Sequence, residues 1–189
     1  MDIRHSADII KRVSRIMFEK NFLDIFHGSI SARIEKNKFL INKRNAFFDE
    51  LNFEDMILLY AKKYYRWSES SLDSDIHLNI YKNIVEAKYI CYATPPYLTA
   101  YSLNHVNLEP KDYFGKTKFD NIFIYDIKQF DDWYERAPHE IYHYMQEKRT
   151  NFVIIKGYGV YVYERSAYEL AKTIALLENS CKLLLLSSM

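Results

Sequence analysis

The chain has 189 residues, enough for one well-buried domain, and no Pro-, Gly- or Ser-rich segment divides it, so we predict a single domain over 1–189. Its 26 basic and 25 acidic residues leave a net charge of +1, which gives no electrostatic basis for binding nucleic acid or an anionic membrane. The two cysteines fit no metal or redox spacing, and the chain has neither a hydrophobic signal core nor a membrane-length apolar run. We therefore expect a cytoplasmic protein.

Hydrophobic periodicity divides the first half of the chain into helices and strands. Apolar residues recur at helical spacing near the N-terminus, and short apolar runs follow. The predicted elements are an opening helix over 3–17, a hairpin over 32–42 that turns at Lys36 and Asn37, strands over 56–59 and 63–67, and a helix over 73–84.

The second half alternates strands and helices. We predict a strand over 89–93, a short helix over 97–103, a strand over 121–125, a helix over 138–149, a hairpin of strands over 152–155 and 160–163, and a closing helix over 166–186. Pro138 is placed at the start of its helix because proline suits a first helical position. Strands joined both by hairpins and by helices predict an α/β protein with three layers, α/β/α, and a mixed, mostly antiparallel central sheet.

The segment from the helix at 73–84 to the end of the strand at 89–93 is the most informative. Asp73 and His77 lie four residues apart on one helical face, and the strand ends where α/β proteins place their chemistry. Together with Gly28-Ser29-Ile30-Ser31-Ala32-Arg33, Thr99-Ala100-Tyr101-Ser102 and Tyr158-Gly159-Val160, this order of motifs resembles the class II aldolase/adducin family over nearly the whole chain.

The resemblance implies a zinc site, but the ligand positions differ. Family members place a His-x-His pair at this strand end and a third histidine before a later Gly-Val, and their zinc acts as a Lewis acid on a ketose or its enediolate. The matching positions here hold Tyr92, Thr94 and Tyr158. Tyrosine ionises near pH ~10, so a neutral hydroxyl is a poor zinc ligand. We predict no metal and no cofactor, and expect the three side chains to lie close together.

The position of the family's general base also differs. The matching residue is Asp73, and its shorter side chain withdraws the carboxylate by ~1.5 Å. We predict that Asp73 instead caps or charges the N-terminus of its own helix, and that His77 is a packing residue.

The family's sugar-phosphate site implies a further set of residues. Backbone N–H groups, hydroxyls and arginine are typical of anion sites. The positions implied here are Gly28, Ser29, Ser31, Arg44, Asn45 and Ser71. A solvated charged turn explains Arg44 and its neighbour Lys43 about as well.

One motif indicates a different chemistry. His139, Glu140 and His143 match the H-E-x-x-H pattern of zinc metalloproteases, which places both histidines on one face of a helix. A third ligand would have to come from downstream, where Glu164 is available.

These observations predict a degenerate class II aldolase-like protein that lacks the zinc site and works as a non-catalytic binding or assembly module, as adducin keeps the fold without the enzyme. The alternatives are a sugar-phosphate aldolase or epimerase (a lyase) with substitute ligands and, third, a zinc metalloprotease through His139, Glu140 and His143. The resemblance implies a small phosphorylated ligand and a homo-oligomer as partners. We expect neither nucleic acid nor membrane among them.

Overall fold

A computed structural model describes residues 2–25 and 27–188. Its centre is a six-stranded sheet of order β3-β2-β1-β4-β8-β7, in which every pair of neighbouring strands is antiparallel. The strands are β1 (Ser29–Glu35), β2 (Lys38–Asn42), β3 (Met56–Tyr60), β4 (Tyr89–Ala93), β7 (Phe152–Ile155) and β8 (Gly159–Glu164), and a separate pair is formed by β5 (Asn107–Leu108) and β6 (Ile122–Phe123).

Helices cover both faces of the sheet. The helices are α1 (Ile3–Glu19), α2 (Ser74–Asn83), α3 (Pro96–Asn104), α4 (Tyr113–Lys118), α5 (Trp133–Glu147) and α6 (Ala167–Ser187). One hydrophobic core joins α1, α3 and α6 to one face of the sheet, and a second joins α2 and α5 to the other. The predicted three-layer α/β/α class is confirmed. Its one parallel element, within the described residues, is an isolated bridge between Tyr125 and Ile155.

The alternation of side chains along the strands explains the two cores. In β4, Ile90 and Tyr92 face the α2/α5 core, while Cys91 and Ala93 face the α1/α6 core. All five residues of β4 are buried, as expected for a central strand that is covered on both faces.

The predicted strand at 63–67 is wrong. This segment is two residues without regular structure followed by a short 3-10 helix, Tyr65–Glu69. Its aromatic side chains fold back on the edge strand β3: the Tyr64 hydroxyl donates to the Leu58 carbonyl at 2.7 Å, and Trp67 Nε1 donates to the Tyr60 carbonyl at 3.2 Å. The apolar residues of this segment thus cover a sheet edge instead of extending the sheet.

Two further boundaries differ from prediction. The strand expected at 121–125 is only Ile122–Phe123 and pairs with β5, outside the main sheet. Helix α5 starts at Trp133, so Pro138 lies inside it. The turn before the proline is stabilised by the buried Trp133 and by Arg136, which pairs with Asp132 at 2.9 Å and Glu140 at 2.6 Å.

The topology gathers several chain segments at one end of the sheet. There β4 ends, β1 and β8 begin, and the N-terminus of α2 approaches. In the described part of the chain, no helix combines the length and apolar character needed to cross a membrane.

Candidate functional site

A cleft of about 580 Å³ opens at this end of the sheet. Three of the residues that line it are Tyr92, Thr94 and Tyr158, the positions matched to the family's zinc ligands. The other lining residues are Asp24, His27, Pro96, Thr99, Ala100, Tyr134 and Gly157.

A glycine allows the strands to approach closely at this point. Val160 of β8 pairs with Ala93 of β4, and Gly159 has a φ of +140°, a conformation that L side chains rarely adopt. A Cβ on Gly159 would lie 2.3 Å from the Ala93 carbonyl oxygen. The glycine therefore lets β8 start against the end of β4, which places Tyr158 over Tyr92.

Three tyrosine rings, those of Tyr92, Tyr158 and Tyr161, form a ring cluster, and the first two stand at positions where the family motif has histidines. The ring centroid of Tyr92 is 4.8 Å from that of Tyr158 and 4.7 Å from that of Tyr161. The Tyr92 hydroxyl donates to the backbone carbonyl of Tyr158 at 2.7 Å. The hydroxyl proton of Tyr92 is therefore held in a hydrogen bond to the backbone.

These residues do not fit a zinc ion. Burial, followed by nearby phenol and carboxylate groups, raises the pKa of Tyr92 and Tyr158 far above the ordinary value, so both phenols stay neutral. The Thr94 hydroxyl is buried and has no hydrogen-bond partner among the described residues. Within the same described residues, no group of three or more His, Cys, Asp or Glu side chains is placed to hold a metal ion.

Asp73 is fully buried beneath the ring cluster. The Tyr161 hydroxyl donates to Asp73 Oδ1 at 2.8 Å, and His27 Nε2 lies 3.2 Å from Oδ2. The latter contact is close enough for an ion pair, and Oδ2 makes no aligned hydrogen bond among the residues described. Of the two predicted roles, the capping hydrogen bond is wrong: Asp73 occupies the N-cap position of α2, so its charge lies at the helix N-terminus, but its side chain contacts Tyr161 and His27 instead of a backbone N–H of the helix.

The charge state of Asp73 reflects two opposing effects. Burial is the largest single effect and acts to raise its pKa, but the neighbouring His27, His77 and Ser29 together outweigh burial and leave the pKa below its usual range. The carboxylate is therefore ionised at neutral pH, yet its relative exposure is 0%. A carboxylate that a substrate cannot reach cannot take a proton from it.

His77 lies one helical turn further along α2, inside the core. Its Nε2 is 2.9 Å from Ser29 Oγ and its Nδ1 is 2.7 Å from Ser31 Oγ, and Ser31 Oγ is also 2.7 Å from the Tyr81 hydroxyl. Burial lowers the pKa of His77 to about 4, so the ring is neutral at physiological pH. Sequence reasoning placed His77 in packing, and it is fully buried here.

The residues assigned to anion binding fall into two groups. Ser29 and Ser31 are fully buried and bonded to His77, so their side chains do not face a surface ligand. Arg44 and Asn45 are exposed on a turn. The backbone N–H of Arg44 donates to the Glu69 carbonyl at 3.0 Å, which links the turn to the neighbouring segment.

Asn42 connects that turn to the other predicted anion positions. Its Nδ2 lies 3.4 Å from the Gly28 carbonyl, and its own carbonyl accepts from Ser71 N at 3.1 Å. Ser71 is buried, and a Cβ on Gly28 would clash with the Phe48 ring at 2.8 Å. An anion-binding role for Gly28, Arg44, Asn45 and Ser71 stays a prediction.

The H-E-x-x-H motif lies on the surface of α5. His139 and His143 are exposed, but Glu140 is bound by Arg136 Nη1 at 2.6 Å and by the Tyr125 hydroxyl at 2.6 Å. The expected third ligand, Glu164, accepts from Asn151 Nδ2 at 2.6 Å and from the Thr173 hydroxyl at 3.2 Å. Its carboxylate therefore links the end of β8 to the residue before β7 and to α6.

Three residues of the site were not predicted from sequence. His27 and Tyr161 hold Asp73, and the Tyr134 hydroxyl lies 2.9 Å from the Tyr158 hydroxyl and 3.3 Å from His27 Nε2. His27 could have been predicted as a site residue because it directly precedes the Gly28 motif. Tyr161 and Tyr134 could not, because nothing in the sequence distinguishes them from the other tyrosines among the 17 in the chain.

Comparisons with solved structures give the fold a context. The l-fuculose-1-phosphate aldolase from Thermus thermophilus is similar at a TM-score of 0.85 and 20% identity, with 98% of this chain and 95% of that chain covered. YgbL from Escherichia coli, a putative aldolase/epimerase/decarboxylase, has a TM-score of 0.78 at 15% identity over 97% and 90% of the two chains. The sugar-phosphate aldolase from Thermotoga maritima has a TM-score of 0.72 at 14% identity over 96% and 94%.

At these identities the structures establish a shared fold. A search of curated protein sequences found no match. The sequence profile described as "Class II Aldolase and Adducin N-terminal domain" matches residues 9–185, which is almost the entire chain. This protein therefore belongs to the class II aldolase/adducin family.

Proposed function

We propose that this protein is a class II aldolase-like domain that has lost aldol cleavage and works as a non-catalytic binding or assembly module. The observation that carries the proposal is the state of the ligand positions. The rings of Tyr92 and Tyr158 pack against each other at the wall of the cleft, and the Tyr92 hydroxyl donates to a backbone carbonyl. Without three convergent donors there is no Lewis acid to stabilise an enediolate, and such electrostatic stabilisation usually makes the largest contribution to catalysis.

Asp73 supports the same proposal independently of the metal. Its carboxylate is buried and interacts with Tyr161 and His27, so it cannot serve as a base toward a molecule in the cleft. Asp73 and His77 instead link α2 to strands β8 and β1 through side-chain hydrogen bonds.

The cleft itself supports binding of a small molecule. It presents the tyrosine rings of residues 92, 134 and 158, together with His27 and Thr94. Aromatic walls with a few polar groups suit the apolar faces and hydroxyls of a sugar. A small sugar-like ligand is therefore the chemistry we assign to the cleft, and a phosphoryl group on it rests on the family resemblance alone.

Two measurements on the purified protein test the loss of catalysis. Elemental analysis of protein prepared without chelator is expected to give far less than one zinc per chain. Cleavage of fuculose and rhamnulose phosphates is expected to stay at the uncatalysed rate. Near-stoichiometric zinc, or turnover that disappears in Asp73→Ala but not in Asp75→Ala, would favour the sugar-phosphate lyase alternative.

A reconstruction tests the assignment of the ligand positions. Because Tyr92, Thr94 and Tyr158 line one cleft, the triple variant Tyr92→His, Thr94→His, Tyr158→His should bind zinc that the parent does not bind. The triple variant Tyr60→His, Tyr65→His, Tyr113→His carries the same number of histidines at exposed positions and is the control. Equal zinc affinity in both variants would contradict the assignment.

We also propose that the protein assembles into a homo-oligomer. The support is a set of large apolar side chains left in solvent, among them Val106 at 74%, Tyr113 at 77% and Phe114 at 65% exposure, which self-association would bury. Light scattering coupled to size-exclusion chromatography measures the mass directly. A monomer at all accessible concentrations would exclude this part of the proposal.

A further inference from the structure

A second concave surface lies at the opposite end of the sheet from the cleft. It is a cavity of about 700 Å³ between the β1–β2 turn, the C-terminal end of α2 and the segments that precede β4 and follow β8. Lys88, before β4, lines this cavity, and Thr94, after β4, lines the cleft. At ~3.3 Å per strand residue the two sites are roughly 20 Å apart.

The wall of the cavity is strongly cationic, although the whole chain is close to neutral. Five basic side chains line it, against the single carboxylate of Glu35. They come from the four segments that form the cavity: Arg33, Lys36, Lys82, Lys88 and Arg165. Glu35 is itself offset by Lys38, whose Nζ lies 3.5 Å from its carboxylate.

Most of this positive charge has no partner in the fold. Among the described residues, no carboxylate lies within ion-pair distance of Lys36, Lys82, Lys88 or Arg165, and all four are exposed. Two further acids of the described chain lie near this wall: Glu86, close enough to act on Arg33 electrostatically, and Glu164, whose carboxylate is bonded to Asn151 and Thr173. An excess of cations remains after these three acids are counted.

Arg33 differs from the other four because it has a structural role. Its Nη2 donates to the Ile84 carbonyl at 2.8 Å and to the Tyr81 carbonyl at the C-terminal end of α2, where a cation is favourable. It adds to the positive potential of the cavity, while the other four cations remain available to a ligand.

We propose that this cavity binds a small molecule that carries two or more phosphoryl groups. Cations around a concave surface concentrate the field and attract anions, and Lys and Arg bind phosphoryl oxygens through charge-assisted hydrogen bonds. The volume lies in the range of small-molecule sites. The exposed Val85 at the wall offers apolar contact to the non-phosphoryl part of the ligand. This site is separate from the cleft and does not depend on its function.

Calorimetric titration with inorganic tripolyphosphate tests the proposal on the whole protein. We expect saturable binding that weakens as salt is raised, and weaker binding of orthophosphate. The variant Lys88→Gln/Arg165→Gln should lose at least about tenfold in affinity. The control Lys116→Gln/Lys128→Gln removes the same charge at exposed positions outside the cavity and should stay within about twofold.

Several results would overturn the proposal. These are no tripolyphosphate binding by the parent, equal losses in cavity and control variants, or tight binding of polyglutamate where tripolyphosphate fails, which would indicate an acidic protein surface as the partner. Circular dichroism checks the fold of each variant. If Lys88→Gln/Arg165→Gln does not fold, Lys36→Gln/Lys82→Gln decides by the same criterion.

Discussion

The two ends of the central sheet differ in whether their polar side chains are buried and bonded or exposed and unpaired. At the cleft end, Asp73, His77 and the Tyr92 hydroxyl are buried and interact with other groups of the protein. At the cavity end, Lys88 and Arg165 are exposed and have no ion-pair partner among the described residues. Partners inside the fold make a polar group part of its stability, whereas a charge without partners is available to a ligand.

Because Asp73, His77 and Tyr92 form hydrogen bonds inside the fold, changes at the cleft end should lower stability. Changes at the cavity end should leave stability almost unaltered and affect binding.

Replacing Asp73 should give the largest loss. In Asp73→Ala, the buried Tyr161 hydroxyl loses its acceptor and a small cavity opens, so we expect the free energy of unfolding to fall by about 3 kcal/mol. The control is Asp75→Ala, which removes an exposed pair with Lys63 and should cost less than about 1 kcal/mol. Urea denaturation measures both, and equal losses would show that the Asp73 contacts do not stabilise the fold.

Acidification should act through His77. The unfolded histidine takes up a proton near its ordinary pKa of 6.5, but the folded one stays neutral until its pKa of about 4. Between these values the unfolded state binds more protons, so stability is full above pH 6.5 and falls as the pH falls, by about 3 kcal/mol at most.

Variants isolate this contribution from that of other groups. Unfolding free energies at several pH values should show a flatter acid slope for His77→Gln than for the parent. The exposed His5→Gln variant should keep the parent's slope. Identical slopes in parent and His77→Gln would refute a titration at His77.

Removing one hydroxyl from the ring cluster should have a smaller effect. Tyr92→Phe keeps the ring packing but deprives the Tyr158 carbonyl of its donor, so we expect a loss of about 1 kcal/mol. Tyr113→Phe removes a hydroxyl from a side chain that is 77% exposed and should leave the thermal midpoint unchanged. If both variants melt with the parent, the Tyr92 hydroxyl does not contribute.

The smallest effect is expected at the cavity. Lys88→Gln/Arg165→Gln removes two exposed charges without ion-pair partners among the described residues, so the free energy of unfolding should change by less than about 0.5 kcal/mol. Relief of repulsion among the cations acts in the stabilising direction. A loss above about 2 kcal/mol in urea denaturation would mean that these side chains support the fold after all.

The sequence predicted the layers of the fold well because its signals there are periodic. Helix α1 and the β1–β2 hairpin follow from apolar spacing and from the turn at Lys36 and Asn37. The error at 63–67 arose where aromatic residues cover an edge strand, since a local apolar pattern does not say whether a segment extends a sheet or covers it. The helix start predicted at Pro138 was too late, because α5 has a further turn before the proline in which Arg136 forms ion pairs.

At the candidate site, the sequence identified positions but not their partners. The order of motifs located Tyr92, Thr94 and Tyr158, which do line one cleft. It did not show that Asp73 would interact with Tyr161, 88 residues away, instead of capping its own helix. Hydrogen bonds between distant segments leave no local pattern, because each partner is an ordinary residue in its own segment.

The sequence by itself determined the family, the three layers and the residues Tyr92, Thr94 and Tyr158 at the positions matched to the family's histidines, since these depend on periodicity and on residue identity at fixed positions. Only the tertiary structure decided that Asp73 and His77 are buried and paired, and that cations from four segments of a nearly neutral chain surround one cavity. The physical reason is that burial and electrostatic potential depend on distances in space, which strand pairing and helix packing set after the chain has folded.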